Sequence, residues 1–241
     1  MNLQQYTEFI QKAFANCGLG DLIDNEKAEK FYSFSKLLIE TNKVMNLTAI
    51  TDEKEIIFKH FIDSASICKY IPLGAKVIDV GCGAGFPSLP LAILREDVQV
   101  TALDSTAKRI DFVTRAASLL SLDNISAVAA RAEEYVSNIR ETYDVCTSRA
   151  VARLNVLSEL CIPNVKVGGL FVAMKATKAD EEYNEAKNGI GRLGCRLNST
   201  DTFEFTSASE TQTRNMYIFG KTKKTPVEFP RKYSVILKRP L

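Results

Sequence analysis

Val77-Ile78-Asp79-Val80-Gly81-Cys82-Gly83-Ala84-Gly85-Phe86-Pro87 is an apolar run that ends in an acid and passes into three glycines on alternate positions. Such a run reads as a buried strand entering a backbone-tight turn and then a helix. Glycine allows positive φ and lets a ligand approach the backbone without meeting a Cβ. A second acid, Asp104, closes the apolar run Val98 to Leu103, 23 residues after Gly81. That is about the distance from a first glycine turn to the end of the next parallel strand. A nucleoside-type cofactor at the carboxyl end of a parallel sheet is the first expectation.

Downstream the pattern alternates. Strands are predicted near 76–80, 98–103, 125–130, 143–147 and 168–174, with helices near 88–95, 106–121, 132–139, 151–164 and 178–193. The alternation predicts an α/β fold with a mostly parallel sheet covered on both faces. Two strand-like runs, 201–206 and 213–220, have no helix between them and predict an antiparallel hairpin at the sheet edge. Upstream, residues 1–72 form a helical extension. Its helices are expected at Leu3 to Phe14, at Glu26 to Asn42, and from Thr51, where Asp52 and Glu55 suit a capping box. His60 and Asp63 lie three residues apart on the last of these. After the 73–220 core, residues 221–241 carry seven basic residues against one acid, Glu228, a local net charge of +6. Pro226, Pro230 and Pro240 predict that this tail is extended and non-helical.

The net charge of the 241-residue chain is only +2, so any nucleic-acid affinity must come from a local patch. Six cysteines without a C-x-x-C pair, and a single histidine, His60, argue against a disulfide frame or a metal site. No apolar run reaches membrane-spanning length, and none resembles a leader core. The expectation is a soluble cytoplasmic protein without a metal or a membrane partner, with a monomer favoured.

Three ligands compete for the glycine turn. A P-loop needs Lys-Ser/Thr after its last glycine, and here Phe86-Pro87 follows. A dinucleotide turn needs a third small residue where Phe86 stands, which also disfavours a nicotinamide oxidoreductase. S-adenosylmethionine fits better. Asp79 can sit near its sulfonium cation, and Asp104 can accept hydrogen bonds from its ribose. The plainer alternative for Asp104 is a helix N-cap with Ser105, and the two roles are compatible. At the third strand end, backbone at Ala132 and the Glu133 side chain are adenine candidates, although an acid there also suits a helix start. The fourth strand ends at Cys146-Thr147-Ser148-Arg149, where substrate and cofactor meet in such sheets. It lacks the acid-Pro-Pro-aromatic motif of amino-group methylation and the Pro-Cys of cytosine C5 methylation. What remains is a nucleophile that needs no base, such as guanine N7, methylated by placement alone. Arg149 is the nearest catalytic candidate, though a surface loop arginine is the plainer alternative. A noncatalytic RNA-binding factor with this fold is the competing class.

The chain resembles the bacterial small-subunit ribosomal RNA guanine-N7 methyltransferases, the glucose-inhibited division protein B family, over almost its whole length. The resemblance rests on Asn42-Lys43-Val44-Met45-Asn46-Leu47-Thr48, His60-Phe61-Ile62-Asp63-Ser64, Asp79 to Pro87, and Leu103-Asp104-Ser105 with Lys108-Arg109. It extends to Arg131-Ala132-Glu133, Ser148-Arg149-Ala150-Val151-Ala152, Gly168-Gly169 with Lys175, and Phe229-Pro230-Arg231. It implies a class I methyltransferase core, S-adenosylmethionine as cofactor, and one guanine of 16S ribosomal RNA, free or in the small subunit, as substrate. Its cofactor residues fall on Gly81, Phe86, Ala132, Glu133 and Arg149, with Asp104, Ser105 and Thr106 nearby. Gly83 and Gly85 complete the turn. Ser88 and Ala176 stand where the family usually has glycine, which implies tighter local geometry and retained activity. The RNA candidates are His60, Lys108, Arg109, Lys175, Arg214, Arg231 and Lys232, read as phosphate contacts or substrate-side groups.

Overall fold

The computed structural model describes residues 1–149, 152–176, 179–207 and 210–241, with backbone alone for Asn138 and Ala179. Ala150 and Val151, the middle of one quoted motif, therefore lie outside the described residues, as do the expected helix starts at 151 and 178. Seven strands form one sheet in the order β3-β2-β1-β4-β5-β7-β6. These are β1 (Lys76–Val80), β2 (Gln99–Asp104), β3 (Ile125–Ala129), β4 (Tyr143–Arg149), β5 (Val165–Lys175), β6 (Cys195–Thr206) and β7 (Thr211–Lys221). Neighbours from β3 through β5 pair in parallel, and β7 runs antiparallel between β5 and β6. The hairpin sits at the edge as its sequence predicts, but β6 begins at Cys195, earlier than the expected 201, because strand pairing with β7 carries through a polar stretch. The strand order reverses between β1 and β4, and the glycine turn leaves β1 there. Crevices at such switch points are where α/β sheets bind ligands.

One sheet face is covered by α5 (Ser88–Leu94), α6 (Ala107–Leu119) and the N-terminal helices; the other by α7 (Ala132–Ile139), α8 (Leu154–Cys161) and α9 (Ala179–Arg192). At the N-terminus, α1 (Leu3–Asn16) starts in a capping box between Asn2 and Gln5. Next, α2 (Asn25–Met45) stops where Asn46 turns left-handed, φ 49°. The next helix starts at an Asp52 cap as α3 (Glu53–Ile56). It widens into a π-helical segment, Ile57–Ile62, and ends as α4 (Asp63–Ala65). Widened turns of this kind are frequent at functional sites.

A file of rings fastens this extension to the glycine turn. Phe31 meets Phe61 at 4.6 Å between centroids, Phe34 meets Phe86 at 5.4 Å, and His60 stacks on Phe86 at 4.4 Å. Phe86, the bulky residue in the glycine turn, thus joins that turn to the helical extension. Each aromatic pair adds about 0.5–1.5 kcal/mol beyond its burial.

The tail corrects one expectation. It carries a short helix, α10 (Tyr233–Lys238), between Pro230 and Pro240. The prolines bound the helix and leave room for it, and Ile236 is buried against the second core. Arg140 anchors the approach by donating to the carbonyls of Thr225, Pro226 and Phe229.

Candidate functional site

The glycine turn is built from left-handed backbone: φ is 78° at Gly81, 57° at Gly83 and 88° at Gly85. Gly81 N and Cys82 N both donate to the Leu103 carbonyl, tying the turn to the end of β2. A Cβ on Gly85 would lie 2.5 Å from Leu89, so this glycine serves packing against α5. A Cβ on Gly83 would meet nothing within 4 Å. That open space belongs to a cavity of about 380 Å³ above the strand ends, a size ordinary for small-molecule sites.

Each wall comes from a different element. The floor is Val80 to Ala84 with Phe86; Leu103, Asp104 and Ser105 form one side, with Arg109 above. Ala130 to Glu133 form the next side, Leu160 and Tyr233 close it from the second face, and Arg149, His60, Leu47 and Thr48 complete it. Asp104 is only 6% exposed. Its Oδ2 accepts from Gly83 N at 3.0 Å and its Oδ1 from Thr106 N at 2.8 Å. Arg109 approaches the same carboxylate at 3.5 Å. Thr106, not Asp104, is the cap residue of α6. Each carboxylate oxygen keeps a lone pair for a ligand hydroxyl.

On the opposite side the side chains interlock. Arg149 donates from Nη1 to the Lys59 carbonyl and, at 2.8 Å, to Asp63 Oδ2. Arg214 donates to both oxygens of the same carboxylate, at 2.7 and 2.8 Å. Asp63 is fully buried between the two guanidinium groups. His60 Nδ1 lies 3.3 Å from Arg149 Nη2, and its Nε2 lies 2.8 Å from Thr48 Oγ1. Nδ1 also lies 3.1 Å from the Lys59 carbonyl, which only accepts, whereas arginine only donates, so the two Nδ1 contacts belong to opposite tautomers of the ring. Asn42 in turn holds Thr48 at both its N–H and its carbonyl. Burial, then the nearby Arg149 charge, push the His60 pKa down to about 3, which keeps the ring neutral.

Asp79 lies beneath the floor rather than in the cavity. It is fully buried, and its Oδ2 accepts from both the N–H and the hydroxyl of Ser88. Its Oδ1 has no hydrogen-bond partner among the described residues. Burial raises its pKa to about 7 against the pull of the Ser88 hydroxyl and Arg149. Ser88, read as a departure with only local effect, thus supplies the partner of the buried acid. Cys82 lines the cavity, but burial pushes its thiol well above the ordinary range.

The structure gathers Gly81, Gly83, Phe86, Asp104, Ser105, Ala132, Glu133, Arg149, His60 and Arg109 around one cavity. Asp79, Gly85, Thr106 and Lys108 stand outside its lining. Several expected RNA contacts are committed to carboxylates: Arg214 to Asp63, Lys175 to Glu182, and Arg231 to the buried Glu159. Lys108 and Lys232 are exposed. The sequence reading passed over Arg131, Cys82, Leu160 and Tyr233 as lining residues. Nothing in local pattern marks Tyr233, which follows Pro230 in a basic run. The link between Asp63 and Arg214 spans 151 residues and leaves no local trace.

A parallel sheet with one reversed strand, a glycine turn at its switch point and an acid closing the second strand define a class I S-adenosylmethionine-dependent methyltransferase. Two solved structures share this fold. TYW2 from M. jannaschii, solved in complex with AdoMet, has a TM-score of 0.52 at 13% identity over 66% of this chain and 74% of that one. A precorrin-6y C5,15-methyltransferase from Geobacter metallireducens has a TM-score of 0.51 at 14% identity over 74% and 92%. The particular family is narrower. The family model of GidB, rRNA small subunit methyltransferase G, matches residues 27–210. The ribosomal RNA small subunit methyltransferase G of Clostridium perfringens (strain SM101 / Type A) is 44% identical over 98% of this chain and 99% of its own length. Its counterpart in Lysinibacillus sphaericus (strain C3-41) is 45% identical over the whole of both. The chain belongs to the GidB family of small-subunit rRNA methyltransferases.

Proposed function

We propose that this protein transfers a methyl group from S-adenosylmethionine to N7 of one guanine in the 16S ribosomal RNA of the small subunit. The observation that carries the reading is a cavity that joins a glycine cradle to a wall of Phe86, Arg149 and a His60 ring held neutral. The cradle residues fit the cofactor: Gly81 and Gly83 bring backbone to the cavity without a Cβ, and Asp104 has acceptor capacity for a ribose. When bound, S-adenosylmethionine supplies an electrophilic methyl on a sulfonium. The chain supplies placement. Asp63 fixes Arg149 and Arg214, Arg149 and Thr48 fix His60, and the His60 ring stacks face to face on Phe86. Guanine N7 has a free lone pair and loses no proton on methylation. The site therefore has no need of a base, and both His60 nitrogens are already engaged. Holding a reactant in line is itself a large source of rate.

The residues divide in a way that serves this reading. The extension 1–72 brings His60 and Asp63, the core 73–220 brings the cofactor cradle, and the tail 221–241 brings Lys232 and Tyr233. All six cysteines are free thiols, which supports a reducing cytoplasm as its place; sedimentation tests the favoured monomer. Among the described residues no helix is long and apolar enough to cross a membrane. The deciding experiment is methyl transfer to small-subunit RNA and particles, followed by mapping of the modified base. Product at N7 of a guanine is expected; product at N6 of adenine or C5 of cytosine would contradict the mechanism.

A further inference from the structure

Beside the cofactor cavity lies a second hollow of about 460 Å³, and Arg131, Glu133 and Tyr233 line both. Resting on the function proposed above, we infer that this hollow binds a nucleotide flanking the target guanine, with Tyr233 as the surface on which its base lies. The Arg131 guanidinium sits over the Tyr233 ring at 5.4 Å. Such a ring–guanidinium pair offers a planar surface of the kind on which splayed RNA bases stack. Lys232, exposed at the rim, is placed for the nucleotide's phosphate. Glu133 and Glu134 on the same lining disfavour a bare anion and suit the hydrogen-bond donors of a base or ribose.

The hollow is not an annex for the cofactor. No residue of the glycine turn and no residue at the end of β2 lines it, so the ribose partner Asp104 does not reach it. Nor is it the seat of the target guanine, since Arg149 and Phe86 line only the first cavity.

The tail is fixed there before any RNA arrives. Arg231 N, Nε and Nη2 all donate to the fully buried Glu159, at 2.8, 2.8 and 2.6 Å. Arg140 grips three carbonyls just upstream. Tyr233, two residues beyond Arg231, is held at the junction of the two cavities, and a preformed surface spares the ordering cost of binding.

The test compares Tyr233→Leu and Tyr233→Phe with the wild type. Its readouts are the Kd for small-subunit RNA with S-adenosylhomocysteine present, the Kd for S-adenosylmethionine by calorimetry, and thermal unfolding. A base–aromatic stack is worth about fivefold or more in affinity. Y233L is expected to weaken RNA binding by at least about that factor and by more than it weakens cofactor affinity, because Tyr233 also closes the first cavity, and Y233F is expected to restore RNA affinity. Unchanged RNA affinity in a folded Y233L, or a loss confined to cofactor affinity, would overturn the inference. A wild-type enzyme that binds RNA but does not methylate it would refute the function proposed above, and the RNA Kd values would still decide the hollow.

Discussion

Two buried groups beside the site should give the protein opposing pH dependences that nearly cancel. In the folded protein His60 titrates at about 3, below its ordinary 6.5, and Asp79 at about 7, above its ordinary 3.8. Between about pH 4.5 and 6.5 the unfolded chain carries a proton on His60 that the folded chain lacks, so this group makes stability rise with pH. Over the same span the folded chain carries a proton on Asp79 that the unfolded chain lacks, so this group makes stability fall with pH. The His60 contribution is fully present above its unfolded pKa and is lost as pH falls through the window. The Asp79 contribution is fully present below its unfolded pKa and is lost as pH rises towards about 7. Each slope is about 1.4 kcal/mol per pH unit, or about 2–3 kcal/mol across those two units. That is a large fraction of the ~5–15 kcal/mol by which domains are stable.

Urea unfolding of wild type, His60→Gln and Asp79→Asn at several pH values separates the two. The stability difference between wild type and H60Q should grow as pH rises, and the difference between wild type and D79N should shrink, each by about 2–3 kcal/mol over the window. Flat differences for both variants would refute the reasoning. Because His60 is the only histidine, its ring resonances also titrate alone in an NMR spectrum. A midpoint near the ordinary 6.5 would be equally fatal.

Five further substitutions have expected outcomes. Gly83→Ala should cost about 1 kcal/mol of stability for its positive φ yet sharply weaken cofactor binding in calorimetry, because its Cβ enters the cavity. Gly85→Ala should instead cost about 3 kcal/mol in unfolding experiments, since its Cβ meets Leu89 at 2.5 Å. Asp104→Ala should weaken cofactor binding with the fold intact, and unchanged affinity would leave Asp104 only its bonds to Gly83 and Thr106. Arg231→Gln should cost about 3–5 kcal/mol by stranding the buried Glu159, whereas Lys232→Gln should leave the unfolding midpoint in place and lower the salt slope of RNA binding by about 0.7–0.9.

The cofactor side of the molecule was legible because its information is local. Gly81 to Phe86 and Asp104 each close an apolar run, and a strand-turn-helix rule turns such endings into neighbours across β1 and β2. The opposite wall, around Asp63, follows no such rule. Arg214 reads as a loose cation in a strand, and only the pairing of β7 with β5 carries it to Asp63. The tail misled in a related way: proline marks where a helix cannot continue and says nothing of the residues between two prolines.

The same contrast explains what the N-terminal helices add to the sheet. A glycine turn alone gives the cavity at the end of β1 only one wall. The second wall must come from side chains that do not belong to the sheet, and such a wall is useful only if it cannot drift. Phe86 solves this by being large where a dinucleotide turn needs a small residue. It sends the turn's own side chain into the rings of Phe34 and His60. Asp63 then locks that helix to β4 and β7 through two arginines. Removing the Phe86 ring should therefore do more than open a void. Phe86→Ala should cost about 3–5 kcal/mol and also free His60 from its stacked position, lowering kcat for RNA methylation more than cofactor affinity. A variant that lost stability but kept kcat would show that the ring file holds the fold together without setting the site.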